Sequence, residues 1–344
     1  MNLLEVKDLE VCYPGARSFL GRDADSVKAV RRVSFDVVVG ETLGVVGESG
    51  CGKSSIARSL VLLNRPSGGS IEFKGSNILN LSGSEKKSYR RAVQMIFQDP
   101  YGSLNPKLTV GESVAEGMEV HGLFDSALAV RSEVIRLLDR VGLDESAADR
   151  YPKEFSGGQR QRIGIARALA VRPELIVCDE PVSALDVSVQ AQIVNLLQIL
   201  QKDSGLSYLF ITHDLAVVEH LSHRILVMYL GQVVEEGPAS LVVGQPKHPY
   251  TQALVAAVPG GKNRNDGGAV IKGDVPSPLN PPAGCAFHSR CPFAEARCRT
   301  IEPLLEEIDP GHRVACHLVL PRNEWKKDKE EKRSKMPKRK SRQR

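Results

Sequence analysis

The chain has 344 residues, 42% of them hydrophobic and 25% charged, an ordinary composition for a soluble globular protein. This length allows one large domain, or one domain with an appendage. No apolar run reaches the roughly 18 residues that span a bilayer, and the acidic residues of segment 1–10 are unlike a signal peptide. We therefore expect a cytosolic chain that meets a membrane only through partner proteins.

The N-terminal part of the chain alternates between apolar and polar residues, which is typical of half-buried strands. One of these strands runs directly into a Gly-rich loop, and a helix follows that loop. The predicted strands are 3–13, 30–38, 41–47 and 69–78, with a loop at 15–28 and a helix at 53–63.

Helical periodicity dominates the segment from about residue 100 to 160, and apolar strands return after it. These strands are predicted at 175–179, 208–212 and 224–229, with an amphipathic helix at 190–202. Continuously apolar strands that alternate with helices form parallel sheets covered on both faces. We expect an α/β core over residues 1–245, with a helical subdomain inserted into it.

The amino-acid composition changes after about residue 244, where Pro, Gly and Asn become frequent. We expect a C-terminal extension over 246–320, which includes the proline-rich connector 275–284. The net charge is +5, yet segment 325–344 alone carries 11 Lys and Arg against 3 Asp and Glu, so the remaining residues carry −3. We interpret 321–344 as a disordered basic tail. Binding of nucleic acid or anionic lipid is the alternative that such a charge run leaves open.

The segment GESGCGKSS matches the pattern G-x-x-x-x-G-K-[ST] and lies between a predicted strand and a predicted helix. In that context glycines let backbone N–H groups surround phosphate oxygens, and the helix N-terminus adds positive potential. We expect Lys53 to reach the β- and γ-phosphates of a nucleotide and Ser54 to coordinate Mg²⁺. The predicted nucleotide contacts of this loop are Gly47, Glu48, Ser49, Gly50, Cys51, Gly52, Lys53, Ser54 and Ser55.

Asp179 ends the apolar strand 175–179, and Glu180 follows it directly. A carboxylate at the end of a buried strand is costly unless it binds something. We expect Asp179 to hold the Mg²⁺ hydration shell and Glu180 to polarise the attacking water.

The segment FSGGQRQR at 155–162 resembles the signature of the ABC ATPases, and further motifs of that family occur in the family's order. The resemblance implies a P-loop NTPase core with an N-terminal antiparallel β subdomain, an inserted α-helical subdomain, and ATP and Mg²⁺ as ligands. It also assigns residues: Tyr13 stacks on adenine, Gln98 of the Q-loop contacts Mg²⁺ and the γ-phosphate, Asp186 ends the D-loop, and His213 is the switch histidine that acts with Glu180.

The signature residues are Ser156, Gly157, Gly158 and Gln159, and Ser156 can cap the helix that starts there. A helix N-terminus of this kind is an anion site. In the family it closes on the nucleotide held by a second subunit. The resemblance therefore implies two ATP molecules between two ATPase chains, and we expect a related but different second chain.

The closer resemblance is to the ATP-binding subunits of oligopeptide and dipeptide importers, carried by QMIFQDPYGSLNP, RYPKEFSGGQRQRIGIARAL and HPYTQAL. It implies peptide uptake, two transmembrane permease subunits, an extracytoplasmic solute-binding protein and a peripheral position on the cytoplasmic face of the cell membrane. Import of nickel or another small solute is one alternative. A soluble ABC ATPase that acts on ribosomes or nucleic acid is another, but we expect no nucleic-acid partner.

Four cysteines, Cys285, Cys291, Cys298 and Cys316, lie in the extension. Four thiolates suit either zinc or an iron–sulfur cluster, and the C-x2-C knuckles common in zinc sites are absent from the sequence. Resemblance to the peptide-importer subunits favours a [4Fe–4S] cluster over zinc. Four free thiols in a packed loop are the remaining interpretation.

Overall fold

The computed structural model describes residues 2–14, 26–258, 271 and 273–319. The predicted basic tail and most of the predicted loop at 15–28 lie outside the described residues. Twelve strands are described: β1 Asn2–Tyr13, β2 Val27–Val38, β3 Thr42–Val46, β4 Gly68–Phe73, β5 Ser76–Asn77, β6 Val93–Ile96, β7 Leu175–Asp179, β8 Ser207–Thr212, β9 Arg224–Tyr229, β10 Gln232–Pro238, β11 Glu306–Asp309 and β12 His312–Val314.

Nine α-helices are described in the same residues, together with four short 3₁₀ turns. Within the part of the chain that the structure describes, no helix is long and apolar enough to cross a membrane. The helices are α1 Lys53–Leu60, α2 Gly83–Ala92, α3 Val110–His121, α4 Ala127–Arg140, α5 Gly157–Leu169, α6 Val187–Ser204, α7 Leu215–Leu221, α8 Ala239–Gly244 and α9 Pro249–Ala257.

Strands β1, β2, β4 and β5 form an antiparallel sheet in the order β2-β1-β4-β5. Its alternating sequence buries one set of side chains, such as Leu4 and Val6 of β1, and these pack with Ile56 and Leu60 of α1. This is the predicted N-terminal antiparallel subdomain. The predicted strand 69–78 is in fact a hairpin of β4 and β5, because the chain turns at Lys74 and Gly75, both with positive φ.

The main sheet has the order β11-β12-β10-β9-β3-β8-β7-β6, and its strands from β9 to β6 are parallel. Strand β7 is buried at all five positions, and its side chains alternate between two apolar clusters on opposite faces of the sheet. Such two-sided burial explains why the strand is apolar throughout. The predicted α/β core with a parallel sheet is confirmed.

Helices α3, α4 and α5 pack together and form the predicted helical subdomain. Their starts are set by side chains: Thr109 and Glu112 make a capping box at α3, and Ser126 caps α4. Helix α5 runs from this subdomain back towards β6, so its first turn is presented at the surface while its later residues enter the core.

The C-terminal extension is joined to the core through the main sheet, because β12 pairs with β10. Beneath this junction the carboxylate of Glu235 is fully buried. It accepts backbone N–H bonds from Lys247 and His248, each at 2.8 Å, and its Oε1 is 2.8 Å from Nε2 of His312. The sequence predicted an appendage, whereas the structure shows that its last strands continue the core sheet.

Candidate functional site

The loop between β3 and α1 wraps closely over the strands beside it. Gly52 has φ 104°, and a Cβ there would lie 2.2 Å from the carbonyl oxygen of Ala29. A side chain at this position would therefore push the loop away from β2. Lys53, buried at the start of α1, donates to the carbonyl oxygens of Gly47 at 2.7 Å and Glu48 at 3.0 Å.

A cleft of about 550 Å³ opens above this loop. Most of the residues predicted to contact the nucleotide line it, together with Ala29 and Leu254, which were not predicted. The predicted residues that line the cleft are Gly47, Glu48, Ser49, Gly50, Gly52, Lys53, Ser54, Ser55, Gln98, Glu180 and His213. Cys51 is buried beneath the loop, with its Sγ 3.8 Å from Nζ of Lys53.

Ser54 and Asp179 form a hydrogen-bonded pair at the floor of the site, with Ser54 Oγ donating to Asp179 Oδ1 at 2.9 Å. Burial raises the pKa of the Asp179 carboxyl, the Ser54 hydrogen bond opposes this, and the nearby charge of Glu180 adds to it. A buried carboxylate that has a hydroxyl as its hydrogen-bond partner suits a hard divalent cation. The donor set therefore fits Mg²⁺.

Glu180 lies where three strands of the parallel sheet end together. Gln98 follows β6 and donates from Nε2 to Glu180 Oε2 at 2.9 Å, and His213 follows β8 with Nδ1 3.4 Å from the same oxygen. The φ of Glu180 is 47°, a strained conformation for a residue with a side chain, and its N–H donates to the carbonyl of Ile211 at 2.9 Å. The carboxyl edge of the sheet thus brings together three residues that are far apart in the sequence.

The signature residues lie apart from this cleft. Ser156 Oγ accepts the N–H of Gln159 at 3.3 Å, and Gln159 Oε1 accepts the N–H of Ser156 at 3.0 Å, so the predicted cap is present. A Cβ on Gly158 would lie 2.4 Å from Cγ1 of Val189, which shows how tightly α5 packs on α6. Asp186 caps α6 by accepting the N–H of Val189. None of the signature residues lines the cleft around Lys53.

Tyr13 lies at the end of β1 and is half-buried. Its hydroxyl donates to Oγ of Ser55 at 3.1 Å and accepts from Nδ2 of Asn64 at 2.6 Å. These bonds tie the ring to α1 beside the phosphate loop. Its stacking on adenine stays a prediction.

The four cysteines are free thiols, and Cys285 donates its backbone N–H to the carbonyl of Cys298 at 2.8 Å. Burial raises the pKa of the Cys285 thiol to about 12 and that of the Cys316 thiol to about 11. Among the described residues, no group of three or more His, Cys, Asp or Glu side chains is placed to hold a metal ion. The structure therefore does not support the predicted [4Fe–4S] cluster or its zinc alternative.

Two residues of the extension that the sequence did not single out reach the phosphate loop. The N–H of Glu48 donates to the hydroxyl of Tyr250 at 2.9 Å, and the guanidinium of Arg290 binds the Glu48 carboxylate. Tyr250 lies in HPYTQAL, a segment quoted for its family resemblance, and Arg290 lies between two of the four cysteines. A contact across more than 200 residues leaves no periodicity or spacing that could have revealed it.

The fold and this cleft define a P-loop nucleotide-binding cassette, and comparison with known proteins agrees. A family model described as ABC transporter matches residues 30–183, and one described as the oligopeptide/dipeptide transporter C-terminal region matches residues 234–298. Among solved structures, the dimeric ATP-binding cassette MJ0796 bound to ADP and Pi has a TM-score of 0.61 and 28% identity; the alignment covers 69% of this chain and 98% of that one.

Relatives along nearly the whole chain are also found. The putative oligopeptide transport ATP-binding protein YkfD of Bacillus subtilis is 50% identical, with 96% of this chain and 98% of the relative covered. OppF of Escherichia coli, an oligopeptide transport ATP-binding protein, is 48% identical, with 93% and 97% covered. The chain therefore belongs to the ABC transporter ATP-binding proteins, in the group that carries the oligopeptide/dipeptide transporter C-terminal region.

Proposed function

We propose that this chain binds and hydrolyses ATP to power an ABC importer of oligopeptides and dipeptides. The observation that carries the proposal is the convergence of Gln98, Glu180 and His213 at the mouth of the phosphate-loop cleft. The names of relatives that align along nearly the entire chain support the peptide cargo.

In the proposed chemistry, Lys53 and the N–H groups of the loop bind the phosphate oxygens. Ser54, Asp179 and Gln98 would hold Mg²⁺, which would neutralise charge on the phosphates. Glu180 accepts a proton from the attacking water, and His213 orients the water against the γ-phosphate. The strained backbone of Glu180 fixes the direction of its carboxylate before substrate arrives.

We propose that the signature residues serve the nucleotide of a second ATPase chain. Their helix N-terminus is capped and exposed, and it lies outside the cleft of its own chain. The dimeric form of the solved cassette supports a two-chain site. Our proposal includes the finer expectation that the second chain is a related but different ATPase.

The membrane partners would dock near the Q-loop, where a groove of about 580 Å³ lies between β6 and α3. Leu63, Phe97 and Val120 line it and are 60%, 37% and 59% exposed. We propose that a segment of a permease subunit covers these apolar side chains, which places the chain peripherally on the cytoplasmic face of the membrane. Because Phe97 precedes Gln98, movement at the γ-phosphate would pass directly to this groove.

The four cysteine thiols have no role in this ATP chemistry. Determination of iron, sulfide and zinc in anaerobically purified protein tests the metal question separately. Stoichiometric iron and sulfide would support the [4Fe–4S] cluster predicted from the sequence, and stoichiometric zinc would support its alternative.

The test of the proposed function is Lys53→Ala in the full chain. Loss of the buried ammonium is expected to weaken MgATP binding at least about a hundredfold and to abolish hydrolysis. Lys202→Ala, at an exposed position near the end of α6, is the matched control and should bind MgATP normally. Unchanged ATP affinity in Lys53→Ala would contradict the site assignment.

Partners and cargo need a second experiment, which is a pull-down of the tagged chain from solubilised membranes. We expect a second ATPase chain, two permease subunits and uptake of labelled peptides by the reconstituted assembly. Recovery of ribosomes or nucleic acid would favour a soluble ABC ATPase, and nickel uptake without peptide uptake would favour the metal importer.

A further inference from the structure

Among the residues of the extension that reach the nucleotide site, Arg290 is the one that binds a charged side chain of the phosphate loop. The guanidinium donates to both oxygens of the Glu48 carboxylate, with Nη1–Oε2 2.8 Å and Nη2–Oε1 3.1 Å. The Arg290 side chain is 10% exposed and that of Glu48 is 26% exposed. This two-bond, charge-assisted geometry in a largely dry setting is the strong form of an Arg–carboxylate pair.

Arg290 is itself held firmly. Its N–H and that of Cys291 both donate to the carbonyl of Phe287, which forms a tight turn in the four-cysteine segment. The Phe287 ring packs against Tyr229 at the end of β9 and against Tyr250 of α9, with ring centroids 5.2 and 5.4 Å apart. The turn that presents Arg290 is therefore anchored on the core sheet.

Glu48 is fixed at its backbone as well as at its side chain. Its N–H donates to Tyr250, which is fully buried, and its carbonyl accepts from Lys53. The direction of the Glu48 peptide units, and so the shape of the loop, depends on residues of the extension. Loop shape determines where the N–H groups that bind phosphate point.

Charge gives the pair a second consequence. Glu48 lines the cleft, and a free carboxylate there would repel the phosphates of a nucleotide. Arg290 neutralises that carboxylate, while Lys53 donates to backbone carbonyls of the loop and not to the Glu48 side chain.

We propose that Arg290 is a positioning residue for phosphate binding, so that the extension completes the ATP site of its own chain. This inference rests on the proposed function, because it requires that nucleotide phosphates bind at the loop. Arg290 acts through Glu48 and touches no reacting atom.

The experiment measures binding of MgATP, MgADP and AMP to the full chain carrying Arg290→Gln, Glu48→Gln or both changes. Arg290→Gln leaves the Glu48 carboxylate uncompensated, so affinity for ATP and ADP should fall about tenfold or more. AMP lacks the β- and γ-phosphates and should lose less than about twofold, because its charge lies further from the loop. The double variant should recover most of the lost ATP affinity, since the repelling carboxylate is gone.

The matched control is Arg313→Gln. Arg313 also lies in the extension, but it pairs with Glu236 of β10, away from the loop. This variant should leave all three affinities unchanged. Equal losses of affinity for ATP and AMP in Arg290→Gln, or no recovery of affinity in the double variant, would show that Arg290 only anchors the extension. Either result would overturn the inference. Lys53→Ala tests phosphate binding itself. If Lys53→Ala loses ATP binding while Arg290→Gln binds ATP normally, the proposed function stands and only this inference is overturned.

Discussion

Two carboxylates of this chain lie in surroundings of opposite kinds. Glu180 faces the cleft, and its partners there are the side chains of Gln98 and His213, which can move away from it. Glu235 is fully buried, and its partners are two backbone N–H groups and a buried His312. A carboxylate with movable partners can exchange protons with a ligand, whereas one held by fixed donors can only hold elements together.

The comparison is tested most strongly by Glu180→Gln. The amide keeps the shape of the side chain but cannot accept a proton, so turnover should fall about a thousandfold. MgATP binding and thermal stability should stay near those of the unchanged chain. The measurements are phosphate release, nucleotide affinity and the unfolding midpoint.

The control for this change is Glu219→Gln, at an exposed position on α7. It should keep normal turnover. If Glu180→Gln hydrolyses ATP at the normal rate, then another group activates the water. Glu180 would then not differ from Glu235 by a role in proton transfer.

Glu235→Gln tests the other side of the comparison. The amide nitrogen of the glutamine would replace a carboxylate oxygen that accepts hydrogen bonds in the unchanged chain. The free energy of unfolding should therefore fall by about 3 kcal/mol. Urea denaturation measures this loss. Glu174→Gln removes only an exposed ion pair with Lys74 and should cost less than about 1 kcal/mol. Equal losses of unfolding free energy in the two variants would show that burial of Glu235 adds nothing to stability.

The smallest expected effect is a pH dependence at the same junction. Burial lowers the pKa of His248 to about 4, while an unfolded histidine has its ordinary value near 6.5. As pH falls below about 6.5, the unfolded chain takes up a proton that the folded chain does not. This group's contribution to stability is therefore complete above about pH 6.5 and is lost towards pH 4, amounting to about 2 kcal/mol between pH 7 and pH 5.

The matched variant for this prediction is His248→Asn. The Nδ1 atom of His248 accepts the N–H of Tyr250 at 3.0 Å at the start of α9, and asparagine can supply the same kind of cap. Unfolding free energies at pH 7, 6 and 5 should fall less steeply in this variant. Parallel slopes for the two proteins would show that His248 does not cause the dependence.

Much of the core could be predicted because its signals are local. The phosphate loop, strand 175–179 and the capped start of α5 each depend on residues within a few positions of one another, and alternation or spacing records them. The carboxyl edge of a parallel sheet then explains why Gln98, Glu180 and His213 meet. The short strands β6, β11 and β12 were missed because three or four residues are too few for a periodic pattern.

The contacts of the extension could not be predicted for a different reason. The bonds of Arg290 with Glu48 and of His312 with Glu235 join segments that only the finished fold brings together. The four cysteines are the reverse case, since their number suggested a shared ligand, whereas no group of side chains among the described residues is placed to hold a metal ion. Composition indicates which groups are available, but not how they are oriented.

The pairing of β12 with β10 has a consequence for how the chain is made. Strand β10 ends at Pro238, and its neighbour β12 begins only at His312. A ribosome that adds about 5–20 residues per second needs several seconds to make the intervening chain. For that interval the edge of β10 is unpaired and the Glu235 carboxylate lacks its contact with His312, and such an edge can pair with other chains. Newly made chains should therefore be most prone to aggregate while the residues between β10 and β12 are being added, and a chain truncated near residue 245 would keep that exposed edge permanently.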